Sequence, residues 1–167
     1  MIDALNGFAE RNLMSIKAYQ PNFRGVIDAI NALESFGNRG NGDVATGTTV
    51  AQGDLLYIDS NGELKPARAN DIDTALVVGA ALSSANAGEK LTYGRNMTVK
   101  LNDIANSVDG SPSALVPGSR YFLSHTNAGN YTTTPNNTTQ GAIVACVGTA
   151  VSTTEITIEI DKVLKIQ

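Results

Sequence analysis

The side chains able to do chemistry in this chain are few and scattered. Its one cysteine, Cys146, lies in the apolar run Ile143-Val144-Ala145-Cys146-Val147, and its one histidine, His125, in the polar stretch Ser124-His125-Thr126-Asn127. A thiolate nucleophile needs a base beside it, and a zinc site needs thiolate and imidazole groups at fixed spacings; neither arrangement is written here. A single cysteine excludes an intrachain disulfide, and in an apolar run it reads as a small buried hydrophobe. The histidine reads as a turn residue facing water. Asn70-Asp71-Ile72-Asp73 puts two carboxylates on one side of an extended chain, as calcium ligands are. It lacks the glycine turn and distal glutamate of an EF-hand loop, and reads as a solvated loop. Asp59 and Glu63 flank Asn61-Gly62 as a carboxylate pair of the kind used in acid-base catalysis, yet the polarity of a turn accounts for them. The phosphate-loop, nucleophile-elbow and H-E-x-x-H patterns are absent from the sequence. The reading is a non-enzyme that uses no cofactor and no metal.

What remains to explain is architecture, and it is organised by an internal repeat, the first thing to look for in a chain of this kind. Val50 to Ala67, V-A-Q-G-D-L-L-Y-I-D-S-N-G-E-L-K-P-A, returns in degraded form from Leu115 as L-V-P-G-S-R-Y-F-L-S-H-T-N-A-G-N-Y-T-T-T. Gly53 matches Gly118, Leu56-Tyr57-Ile58 matches Tyr121-Phe122-Leu123, and Asn61-Gly62 faces Asn127-Ala128-Gly129. Downstream, V-V-G-A-A-L-S-S from Val77 aligns with C-V-G-T-A-V-S-T from Cys146, and Leu91-Thr92-Tyr93 with Ile156-Thr157-Ile158. Each copy reads as strand, turn, short strand, loop, a strand interrupted by glycine, and a last alternating strand. Asn61-Gly62 is a hairpin signal. Gly79 and Gly148, inside apolar strands, mark a bulge or the close approach of another backbone. The expectation is a mainly β protein, a β-barrel or β-sandwich body of two pseudo-repeated units near residues 50–93 and 115–158. Met97 to Leu101 alternates between them, Asn102 to Pro117 reads as a polar connector, and Thr132 to Gln140 as an exposed loop.

Residues 1–40 instead repeat their apolar side chains at helical spacing and predict an N-terminal α-helical arm. Ile2, Leu5, Phe8, Ala9, Leu13 and Ile16 share the face of a first helix; Phe23, Val26, Ile27, Ile30 and Leu33 form the stripe of a second, with Gly37 at its C-terminal cap. Burying four such side chains is worth on the order of 6–10 kcal/mol before entropic costs. What covers the stripe stays open between the chain's own β core, a neighbouring subunit and a partner. The glycine-rich stretch Gly37 to Gly47 reads as a mobile linker, assigned to residues 41–48, and the β body as 49–167.

Composition narrows the classes. At 167 residues the chain is one ordinary domain or one with an appendage, and its net charge of −4 comes from 12 basic and 16 acidic residues with no basic cluster, so a nucleic acid has nothing to hold. No apolar run reaches the roughly 18 residues of a membrane span, and the N-terminus lacks a secretory pattern, so we expect a soluble chain not exported by a classical signal. The Asn-x-Thr sequons at Asn96, Asn130, Asn136 and Asn137 then follow from the abundance of Asn and Thr.

The pattern G-D-L-L-Y-I-D-S-N-G-E-L-K-P-A, a polar loop, then A-L-V-V-G-A-A-L-S-S-A-N-A-G-E-K-L-T-Y, resembles the small decoration or cement proteins of tailed bacteriophage heads. The second copy, P-G-S-R-Y-F-L-S followed by V-G-T-A-V-S-T-T-E-I-T-I, also resembles segments of phage tail and fibre proteins. The resemblance covers about half of the β body directly and the rest through the repeat, and does not extend to residues 1–40. It implies a virion structural protein on the capsid surface, partnered by the major capsid protein and by itself as a homotrimer, that stabilises the shell through many weak contacts. The arm residues Phe23, Val26, Ile27, Ile30 and Leu33 are then candidate partner contacts. The alternative is a receptor- or carbohydrate-binding module of a phage tail fibre.

Overall fold

The strand order of the body repeats itself. The computed structural model describes residues 38–160 and 163–166, so the predicted helical arm, with the candidate contacts Phe23, Val26, Ile27, Ile30 and Leu33, lies outside the described residues. From Asn38 onward the chain forms one compact unit. It is mainly β, built from antiparallel strands: β1 (Arg39–Asp43), β2 (Leu55–Ile58), β3 (Leu64–Pro66), β4 (Gly79–Ala81), β5 (Lys90–Gly94), β6 (Met97–Lys100), β7 (Arg120–Leu123), β8 (Tyr131–Thr132), β9 (Ile143–Val144), β10 (Cys146–Ala150), β11 (Glu155–Ile158) and β12 (Leu164–Lys165), with a single turn of helix α1 (Ile104–Ser107) between β6 and β7. One five-stranded sheet runs β3-β2-β4-β5-β1, and the other β8-β7-β10-β11-β6; β9 and β12 pair separately. Replacing each strand of the first sheet by its counterpart in the repeat gives the second.

The match extends to register. Leu55 faces Ala80 and Leu56 faces Gly79 in the first sheet; in the same alignment columns of the second, Arg120 faces Thr149 and Tyr121 faces Gly148, past a bulge at Val147. Gly53 N donates to Ala81 O at 2.9 Å, and its counterpart Gly118 N to Ala150 O at 2.7 Å. Gly79 and Gly148 have a common cause: a Cβ on either would strike the carbonyl oxygen of a neighbouring strand, Gly94 O or Thr157 O, so the column admits only hydrogen. A parallel bridge accompanies each sheet: Val44, just after β1, to Leu64 of β3 in the first, and Val108, just after α1, to Tyr131 of β8 in the second.

Three sequence readings need correction. The stretch assigned to the arm's end and a linker at 41–48 contains β1, an edge strand paired with β5 from Arg39 opposite Gly94 to Asp43 opposite Lys90. Glycine here supplies an absence of side chain, not flexibility. A Cβ on Gly40 would collide with the Tyr93 ring and one on Gly42 with Leu64, while the intervening polar residues reach across to β5, Thr92 Oγ1 donating to Asn41 Oδ1 and Lys90 pairing with Asp43. The repeat units therefore start earlier than 50 and 115, each with an upstream edge strand, β1 or β6. The connector from Asn102 to Pro117 is also not simply polar: Asp103 caps α1 through the Asn106 amide, and Ile104, Val108 and Leu115 are core residues. Cys146 is half-buried; the bulge turns Val147 into the core instead.

Two apolar clusters follow from strand alternation. Leu56, Ala81, Leu91 and Leu64 of the first sheet pack with Val44, Val50 and Ala85 on one of its faces. Leu55 and Ala80, one residue out of phase, join Val99, Tyr121, Leu123, Tyr131, Ile156 and Ile158 of the second sheet in the larger cluster. Leu55 and Leu56 are both fully buried, so β2 is covered on both faces.

Candidate functional site

The residues first considered for chemistry are not brought together. His125 is exposed in the β7–β8 loop, where its carbonyl oxygen accepts from Arg68 Nε at 3.0 Å. Asp71 and Asp73 sit in the exposed β3–β4 loop; Asp71 Oδ1 accepts from the Asp73 amide at 2.9 Å, and Thr74 Oγ1 donates to Arg68 O, the bonding of a turn. Asp59 organises its hairpin: its Oδ1 accepts from the amides of Asn61 and Glu63, and its Oδ2 meets Lys65 Nζ at 2.7 Å. Lys65 beside it, then the Glu63 amide, hold the carboxyl below the usual carboxylate range. Gly62, at φ +82°, carries the turn's left-handed step while Asn61 does not, which gives the three-residue hairpin loop with a bulged glycine rather than the two-residue form.

The most constrained assembly of groups lies where the β7–β8 loop of the second sheet meets β2 and the end of β3. Ala67 N donates to Leu55 O at 2.7 Å, but the reciprocal bond is missing: Leu55 N donates to Gly129 O at 2.9 Å, and Gly129 N to Ala67 O at 2.7 Å. One residue of the second half, Gly129, is wedged into the ladder of the first. Tyr131, fully buried, donates its hydroxyl to Gly53 O at 2.8 Å, and Ala69 N donates to Ser124 O at 2.9 Å. Gly129 has φ +82°, and a Cβ there would stand 3.0 Å from Asp54 Cγ. A side chain is thus disfavoured by backbone and by space.

Asp54 lies half-buried against this wedge. Its Oδ2 accepts from the Ala51 amide at 2.8 Å, closing the turn that Asp54 N makes with Ala51 O. Burial pushes its carboxyl above the ordinary value, and the Ala51 amide offsets part of that. Burial, and then the charge of Asp54, drive the Tyr131 phenol well above its usual range. Sequence reading missed this joint. Its signal was present in the repeat, where Asp54 aligns with Ser119: a charge enters at the column against which Gly129 packs.

Beside the joint, Asn106, Asp109, Ser111, Asn127 and Asn130 line a polar cleft of about 320 Å³. Its walls are tied internally: the buried Ser124 hydroxyl donates to Asp109 Oδ2 at 2.6 Å, Asn127 Nδ2 to Asp109 Oδ1 at 2.9 Å, and Asn130 Nδ2 to Asn106 O at 2.8 Å. The arrangement can hold loops in place and offer amide oxygens; it assembles no nucleophile with a base. Neither a protein-family model nor a curated protein matches the chain.

Proposed function

We propose that this chain is a non-enzymatic structural protein of a tailed-phage particle, a decoration protein that binds the head shell as a trimer and stabilises it. The observation that carries the reading is where the resembling residues fall. Gly53 to Ala67 forms the β2–β3 hairpin, Ala75 to Ala81 leads into β4, and the Gly88-Glu89 turn opens β5, so the residues that resemble head-decoration proteins fall on four strands of a five-stranded sheet, and the second sheet repeats that order. We read each sheet as a small β-barrel, closed in the first by the Val44–Leu64 bridge and in the second by the bridge from Val108, after α1, to Tyr131. The surface suits adhesion by many weak contacts: exposed Asn, Thr and Ser with isolated apolar side chains such as Ile58, Val116 and Val151. The arm adds Phe23, Val26, Ile27, Ile30 and Leu33 as the contact to the major capsid protein.

The test is co-sedimentation of the full-length protein with undecorated heads, beside the double variant Ile27→Asp and Ile30→Asp. Wild-type protein pellets with heads at many copies per particle, and the variant stays in the supernatant, since a carboxylate cannot be buried there unpaired. No pelleting of wild type would sink the decoration reading; pelleting of both proteins would move the contact onto the β body. The polar cleft beside Asp109 favours a second reading, a glycan-binding module of a tail, which predicts a few copies confined to the tail.

A further inference from the structure

We propose that Asp54 makes the joint between the two sheets an acid-tightened latch, with the wedge of Gly129 between Leu55 and Ala67 held more firmly when the carboxyl is protonated than when it is charged. The geometry carries this. The carboxylate receives a single backbone donor, Ala51 N, at 2.8 Å. The Tyr131 hydroxyl of the other sheet is spent on Gly53 O, and the Gly129 and Asn130 amides on Ala67 O and Asn127 O. Gly129 packs directly against the carboxylate, where a Cβ would stand 3.0 Å from Asp54 Cγ.

Among the described residues the titratable group facing Asp54 is Tyr131, from β8, and it is neutral at working pH. The ion pairs there join Lys65 to Asp59 and Lys90 to Asp43, so neither lysine neutralises Asp54. A half-buried anion with one donor and no cation is under-compensated. Protonation removes that penalty and leaves the turn able to accept from Ala51.

The sign follows from linkage. The folded carboxyl is shifted up from its ordinary value by burial, so the closed joint binds the proton more tightly than the open one. The penalty is absent below the unfolded value, grows as pH rises through the folded one, and is complete above it. Asp59, shifted the other way by Lys65 and the Glu63 amide, loses its contribution on acidification. A global melt mixes the two effects, so the readout must be local.

The Leu55 and Gly129 amides report on the joint directly, because each donates across it. Hydrogen exchange of these two amides, corrected for the intrinsic pH dependence, is measured between about pH 7 and pH 4.5 in the full chain and in Asp54→Asn. Wild-type protection should rise several-fold toward acid, approaching about tenfold for each pH unit of displacement, while Asp54→Asn stays flat. Parallel profiles in the two proteins overturn the proposal. If Asp54→Asn does not fold, the carboxyl carbon of Asp54 is titrated by NMR in the wild type: a midpoint above the ordinary aspartate value supports the latch, and one at or below it overturns it.

Discussion

At the scale of single residues, two glycines in matching hairpins have different tasks. Gly62 and Gly129 share φ +82°, but a Cβ on Gly62 would meet open space and one on Gly129 would meet Asp54. Gly62→Ala should therefore cost only the left-handed backbone, about 1–2 kcal/mol. Gly129→Ala adds overpacking of about 1–3 kcal/mol, and should also raise amide exchange at Leu55. Denaturant melts of both variants check the order; equal losses would mean that the wedge carries no strain of its own. Tyr131→Phe removes the buried donor to Gly53 O and leaves an unpaired carbonyl, worth about 1–3 kcal/mol, with the apolar core contact of the ring retained.

Among the elements, β1 is the instructive one. It brings almost no apolar surface of its own, yet its inward glycines leave the space that Tyr93 and Leu64 fill, and the chain leaving it carries Val44 into the smaller core. A chain beginning at Asn38 should keep the cooperative melt of the β body. One beginning at Gly47 loses β1 and Val44, exposes Leu64, Leu91 and Tyr93, and should melt well below it or not fold. Circular dichroism melts of the two truncations decide this, and equal midpoints would return β1 to the status of a linker. The sequence made the rest of each sheet legible, because hairpin signals and period-two alternation at Leu55 to Pro66 and Glu155 to Ile158 are local properties of the chain. β1 was illegible because a strand whose inward positions are glycine has no alternation to detect. Its pairing is written in Tyr93, more than fifty residues away. The joint was half legible: the Asp54 and Ser119 mismatch stood in the alignment, but only the fold shows Gly129 arriving there.

For the whole molecule, the wedge and the shared cluster of Leu55, Ala80, Tyr121 and Tyr131 bind the halves into one unit. Calorimetry of the chain from Asn38 should therefore give a single transition with matching calorimetric and van't Hoff enthalpies; two separated transitions would show that each sheet stands alone. The decoration reading adds that the full-length protein is a trimer in light scattering at micromolar concentration, and a monomer mass there would count against it.

In each five-stranded sheet the strand that comes first in the chain pairs with the one that comes last, β1 with β5 and β6 with β11. A ribosome delivers the chain in one direction, so the first sheet can close once Gly94 has emerged, while the second is still being made. The Leu55 amide and Ala67 carbonyl then wait for Gly129, an interval of about two to seven seconds at ordinary elongation rates. During that interval the nascent protein carries a half-finished ladder open to any passing peptide, and its safe maturation depends on how quickly translation brings up the second half.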